Sequence, residues 1–83
     1  MAKLDRKEIE AQVKEILAKE LGVDLKKVTD DRSLVNDLGM DSFNAVEITF
    51  ELENKFGIGI PDEEIKNIKI VNDIVEYIES RLL

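Results

Sequence analysis

Apolar residues recur at helical spacing in three separate stretches of this chain, and residues that start or stop helices stand at the ends of those stretches. No other feature constrains the fold as much, because a stripe with a period near 3.6 residues cannot be laid onto one face of a strand. In the first stretch Ile9, Val13, Ile16, Leu17 and Leu21 share a face. Asp5, followed three residues later by Glu8, has the spacing of a capping box, and Gly22 supplies a stop, so a helix is predicted over 6–21. The second stretch runs from Ser42 to Phe56 and is closed by Gly57. The third carries Val71, Ile74, Val75, Ile78 and Leu82 and predicts a helix over 70–82. Its start is poorly capped, since Ile70 stands where Ser, Thr or Asp is expected. Between the last two, Pro61 suits a first helical turn and Asp62, Glu63 and Glu64 suit the positive end of its dipole, which predicts a short helix over 62–67.

Residues 22–40 show no sustained period, and a structureless connection of that length is unusual in a small domain. Val23, Leu25, Val28, Leu34, Val35 and Leu38 recur along it, so the loop is expected to be pinned across the helices, with one helical turn near 25–28. The predicted fold class is all-α: a bundle of three main helices plus a short third one, with a long loop between the first and second. With 83 residues and no repeat or low-complexity tract, the chain is read as a single domain spanning 1–83.

The chain has no cysteine and no histidine. Disulfides, thiolate nucleophiles, imidazole bases and the usual transition-metal ligands are excluded together, and any thiol chemistry would need an imported thiol. The net charge of −7 argues against nucleic acid and anionic membrane surfaces as partners. No run approaches the ~18 apolar residues of a membrane span, and the charged start MAKLDRKEIE does not resemble a signal peptide, so a cytoplasmic protein is expected. Residues 37–64 hold eight acids and one base, whereas the remainder carries eleven of each. The whole imbalance therefore lies in one third of the chain. It reads either as a solubility surface or as a field directed at basic partners.

At about 100° per residue, the second helix separates into three faces. Ala45, Ile48, Thr49, Leu52 and Phe56 form a core stripe, and Asn44, Glu47, Glu51, Asn54 and Lys55 a polar band. Phe43, Val46 and Phe50 form a second apolar stripe roughly opposite the first, edged by Glu47 and Glu53. A small core does not need a helix that is apolar on both sides. The second stripe either packs under the long loop or the short helix, or is a docking face rimmed by carboxylates. At the start of the same helix, in LGMDSF, Asp41 can serve as the N-cap. Ser42 is then left near the first helical position with its hydroxyl free, and Gly39 keeps a side chain out of the approach. A phosphate ester on Ser42 would sit by unpaired backbone N–H groups at the positive end of the helix dipole.

The segment LVNDLGMDSFNAVEITFELENKFGIGIPDEE, residues 34–64, closely resembles the acyl carrier protein family, whose signature is an Asp-Ser-Leu triplet after DLG. The resemblance extends to ELGVD, VTDDRSLVNDLG, IPDEE and IVEYIESRL, and so over nearly the whole chain. It implies a right-handed four-helix bundle carrying 4′-phosphopantetheine, derived from coenzyme A, on Ser42, with Gly39 and Asp41 beside it. A phosphopantetheinyl transferase would attach the arm, any Mg²⁺ belonging to the transferase's substrates and none to this chain. Acyl groups would ride on the arm as thioesters, presented to acyl-transfer, ketosynthase or related enzymes of fatty acid, polyketide or lipid biosynthesis. In this family the second helix is the recognition helix. The resemblance therefore implies docking through Asp41, Phe43, Val46, Glu47, Phe50, Glu51 and Glu53 onto basic patches, by a monomer. It also implies an acyl-chain pocket lined by Ile48, Leu52, Ile65, Ile68 and Val71, all of which serve equally well as plain core. Phe43 stands where the family commonly has Leu, and Phe50 is bulkier than expected. Both lie on the implied docking face and point to a specialised member.

Three other readings remain weaker. An acidic helical interaction module would use Ser42 only as a cap, and aminoacyl cargo would use the same arm. A serine hydrolase lacks any His or Cys to activate Ser42, and Lys55 lies at the far end of the helix.

Overall fold

In the computed structural model, which describes residues 5–82, the Asp5 carboxylate accepts the Glu8 backbone N–H at 2.9 Å and opens α1 (Arg6–Leu21) at the predicted residue. Ile9, Val13, Ile16 and Leu17 turn the buried face of α1 toward two partners, α2 (Ser42–Phe56) and α4 (Val71–Leu82). Against it α2 sets Ile48, Leu52 and Phe56, and α4 sets Val71, Ile74, Val75 and Ile78. These eleven side chains form most of one core, as the three helical stripes require. Gly57 ends α2 with φ of 66°, a left-handed conformation that a Cβ would oppose.

The long connection is structural. A single 3₁₀ turn forms over Leu25–Lys27, and Val28, Leu34 and Leu38 enter the core. Leu25 and Val35 do not: they are 49% and 59% exposed. The 3₁₀ turn that carries Leu25 contributes no side chain to the core, and Val35 occupies a surface turn whose carbonyl accepts the Gly39 N–H.

The start of α4 is well satisfied, contrary to what Ile70 implies. The Asp73 carboxylate reaches back to the N–H groups of Lys69 and Ile70 at 2.9 and 3.1 Å. The carbonyls of Arg32 and Asp30 accept from Val71 and Asn72 at 3.1 and 2.9 Å, and the Leu34 N–H donates to Lys69 at 3.0 Å. The long loop therefore caps the last helix, and a pattern search that looks only for a local capping residue misses it. Arg6 fastens the other face of α4 through Glu79 (2.8 Å) and Asn72 (2.6 Å).

The short helix α3 (Asp62–Ile65) stops two residues before its predicted end. After Ile65 the bonds tighten to i→i−3, from Asn67 to Glu64 and from Ile68 to Ile65. Among the described residues no helix is long and apolar enough to cross a membrane.

Candidate functional site

The residues around Ser42 are held by the cap of α2. Asp41, extended at φ −114°, accepts the Asn44 N–H at 2.8 Å, and the Asn44 side-chain oxygen accepts the Asp41 N–H at 3.3 Å. This reciprocal box assigns both capping roles to other residues and leaves Ser42 as an exposed first helical residue. The remaining Ser and Thr hydroxyls are each engaged. Thr29 bonds Asp31, Ser33 accepts from Asn36, Thr49 donates to the Ala45 carbonyl and Ser80 to that of Tyr77. Among the described residues, Ser42 is the one aliphatic hydroxyl outside such a bond.

Gly39 is fixed by its backbone. Its φ is 74°, in the left-handed region, and a Cβ added there would meet nothing within 4 Å. A side chain at 39 is disfavoured by strain rather than by crowding from within the chain.

On α2 the second apolar stripe stands free of the bundle: Phe43 is 79% exposed, Val46 69% and Phe50 64%. The acids beside it are not equivalent. Glu47 is exposed, while Glu51 pairs with Lys19 of α1 at 3.2 Å. Glu53 accepts the Ile60 N–H at 2.8 Å and so fastens the connection from α2 to α3, a structural duty that the helical wheel does not reveal.

Glu20, on α1, faces Glu47 and Glu51 and was not singled out by the sequence, because its neighbours belong to another helix. Burial, followed by the charges of Glu51 and Glu47 and a hydrogen bond with Glu47, pushes its carboxyl above the ordinary range, and Lys19 opposes the shift. A carboxyl whose folded pKa exceeds its unfolded value takes up a proton on folding. Stability is then highest below the ordinary carboxylate range and falls as pH rises through the raised value. Glu20→Gln is therefore expected to raise the urea midpoint near neutral pH and to lose that advantage near pH ~4, which paired urea titrations would measure.

Three hollows adjoin α2, one of them, of about 530 Å³, between α1 and the second half of α2. A small hollow of about 40 Å³ lies among α2, α3 and α4, and four of the five predicted pocket residues, Ile48, Leu52, Ile65 and Ile68, line it. Val71 does not. It is fully buried on α4, and Met40, Ile60 and Ile74 stand at the cavity wall. Met40 and Ile60 lie in connections, where no helical period could assign them a face. Another is an open groove of about 760 Å³ that runs beside α2 to α3, with Ser42 in its lining, and it shares Ala45, Thr49, Ile60 and Ile65 with the small hollow. Among the described residues, no group of three or more acidic side chains is arranged to hold a metal ion.

An exposed hydroxyl outside its own cap, beside unpaired N–H groups and a groove, fits a phosphate-linked arm. A family model described as a phosphopantetheine attachment site matches residues 11–78, a span that contains all of α2. An acyl carrier protein from Thermotoga maritima is 42% identical to this chain over 77 residues, which cover 93% of this chain and 95% of that protein.

Proposed function

Because this chain belongs to the acyl carrier protein family, we propose that Ser42 is the residue that carries its 4′-phosphopantetheine. The family makes the chain a non-catalytic carrier, which bears acyl groups as thioesters and passes them between acyl-handling enzymes. When bound, the arm supplies the thiol that a chain without cysteine lacks. The observation that carries the assignment is the state of the Ser42 hydroxyl, exposed and excluded from the capping box while the other Ser and Thr hydroxyls are engaged. Asp41 keeps that hydroxyl available by taking the cap itself, and the N–H groups of the first turn of α2 favour a phosphodiester there. Gly39 permits the turn that sets Asp41 ahead of the helix.

Trypsin cuts after Arg32 and Lys55, which leaves Ser33 and Ser42 on one peptide. After incubation with a phosphopantetheinyl transferase and coenzyme A, fragment ions of that peptide should place the added mass on Ser42. Addition at Ser33 would defeat the assignment.

The same proposal takes Phe43, Val46 and Phe50 as the face presented to the transferase and to acyl-handling enzymes, with Asp41, Glu47, Glu51 and Glu53 supplying negative charge around it. Burying three such side chains contributes on the order of several kcal/mol before the costs of association, which suits a reversible complex. Glu47→Lys is expected to slow transferase loading several-fold at low ionic strength, roughly the scale of a lost steering charge, with the deficit shrinking as salt is raised. A deficit independent of salt would remove Glu47 from the docking face. The partner enzymes select the cargo, for which fatty acid or related lipid and polyketide intermediates suit the thioester arm. A monomer working in the cytoplasm, where coenzyme A provides the arm, belongs to the same reading.

A further inference from the structure

We infer that the hydroxyl of Tyr77 is a latch on the connection between α2 and α3, and that it sets how long an aliphatic acyl chain this carrier shelters. The inference rests on Ser42 bearing an acyl-loaded arm. The small hollow is lined by apolar side chains and by Thr49, whose hydroxyl is committed to the Ala45 carbonyl at 2.7 Å. It suits a hydrocarbon in chemistry but not in length. A volume of about 40 Å³ is close to the roughly 30 Å³ that one water molecule takes in the liquid, so a chain of several carbons enters only where a wall gives way.

Ala45, Thr49, Ile60 and Ile65 line both this hollow and the groove that reaches Ser42. Ala45 and Thr49 belong to α2, which α1 holds in place through the core. Ile60 and Ile65 are held differently. α1 packs closely on α2 and on α4, and α3 belongs to neither pair; it is four residues long, and its N-cap, Pro61, makes no side-chain cap. Past the bonds of the Gly57 and Ile58 N–H groups to the Glu53 carbonyl, two side chains tie the connection to the bundle. The Glu53 carboxylate on α2 accepts the Ile60 N–H at 2.8 Å, and the Tyr77 hydroxyl on α4 donates to the Gly59 carbonyl at 3.1 Å. The first bond is charge-assisted and partly buried, whereas the second is neutral and open to competition from water. Tyr77 is therefore the tie that releases first. Its release lets the connection and α3 move away from α4 and widen the hollow, while Glu53 keeps them attached to α2.

The test compares the unaltered chain with Tyr77→Phe, which keeps the ring beneath Arg81 and removes only the hydroxyl. Each is loaded to completion, by intact mass, with straight saturated acyl groups of increasing length, and urea midpoints are measured. The midpoint of the unaltered chain should rise with acyl length as more hydrocarbon is buried, then level off where the hollow can open no further. In Tyr77→Phe the levelling point is expected to shift to longer chains. A levelling point that is unchanged or shorter, with only a constant offset between the two series, overturns the inference and leaves Tyr77 a structural residue. Full loading with no rise in the unaltered chain also overturns it. A chain that gains no mass overturns both this inference and the assignment of Ser42.

Discussion

Ser42→Ala, coexpressed with a phosphopantetheinyl transferase, is expected to gain no mass at all, while the unaltered chain gains one phosphopantetheine. The effect is all-or-none because the chain holds no cysteine to take the arm by another route, and its other Ser and Thr hydroxyls are each engaged in hydrogen bonds. The substitution should leave the fold intact. Ser42 is exposed and the helix cap belongs to Asp41 and Asn44, so the change in stability should stay within about 0.5 kcal/mol. Intact mass, with a urea titration of the same sample, separates loss of attachment from loss of structure. A variant that still gains the arm would place the attachment elsewhere and leave Ser42 as helix punctuation.

The second large effect is expected in the loop. Leu34 is 1% exposed, its N–H donates to Lys69 at 3.0 Å, and its carbonyl accepts from Met40 at 2.9 Å. Leu34→Ala should cost roughly 2–5 kcal/mol, as a core leucine on a helix does. That is a large share of the ~5–15 kcal/mol that holds a small domain together. Val35→Ala, one residue on, should change stability by less than about 0.5 kcal/mol, because Val35 lies mostly in solvent. Urea midpoints of the two variants, with the transition slope checked for constancy, measure the contrast. Equal midpoints would mean that the loop is a tether and not a part of the core. The entry of α2 depends on this anchorage, since Met40 and Gly39 connect Leu34 and Leu38 directly to Asp41.

Much of the architecture was legible because it is periodic. The limits of α1 and α2 follow from the stripes together with Asp5, Gly22, Asp41 and Gly57, all of which act on neighbours within four residues. The free hydroxyl of Ser42 was legible for the same reason: a capping box is a local object. The features that escaped join residues distant in sequence. Asp30 and Arg32 cap a helix some forty residues later, and Tyr77 donates to the Gly59 carbonyl across eighteen positions. Glu20 meets its fellow carboxylates only when α1 lies along α2. Gly39 was read as clearing space, whereas its left-handed φ is what selects glycine.

By itself, then, the amino-acid order determined which residues are helical, which face of each helix is apolar, and which hydroxyl is free at a helix start, because all three depend on interactions within one turn. The tertiary structure alone decided whether the second apolar face of α2 is covered. The wheel marks Ile48, Leu52 and Phe56 as core but leaves Phe43, Val46 and Phe50 free to pack under the long loop or the short helix, and only the packing of the whole bundle leaves that second stripe exposed. It also decided that the space beside Ser42 is an open groove with a small cavity behind it. The volume between helices is set by side chains from four segments at once, and no single segment carries that information.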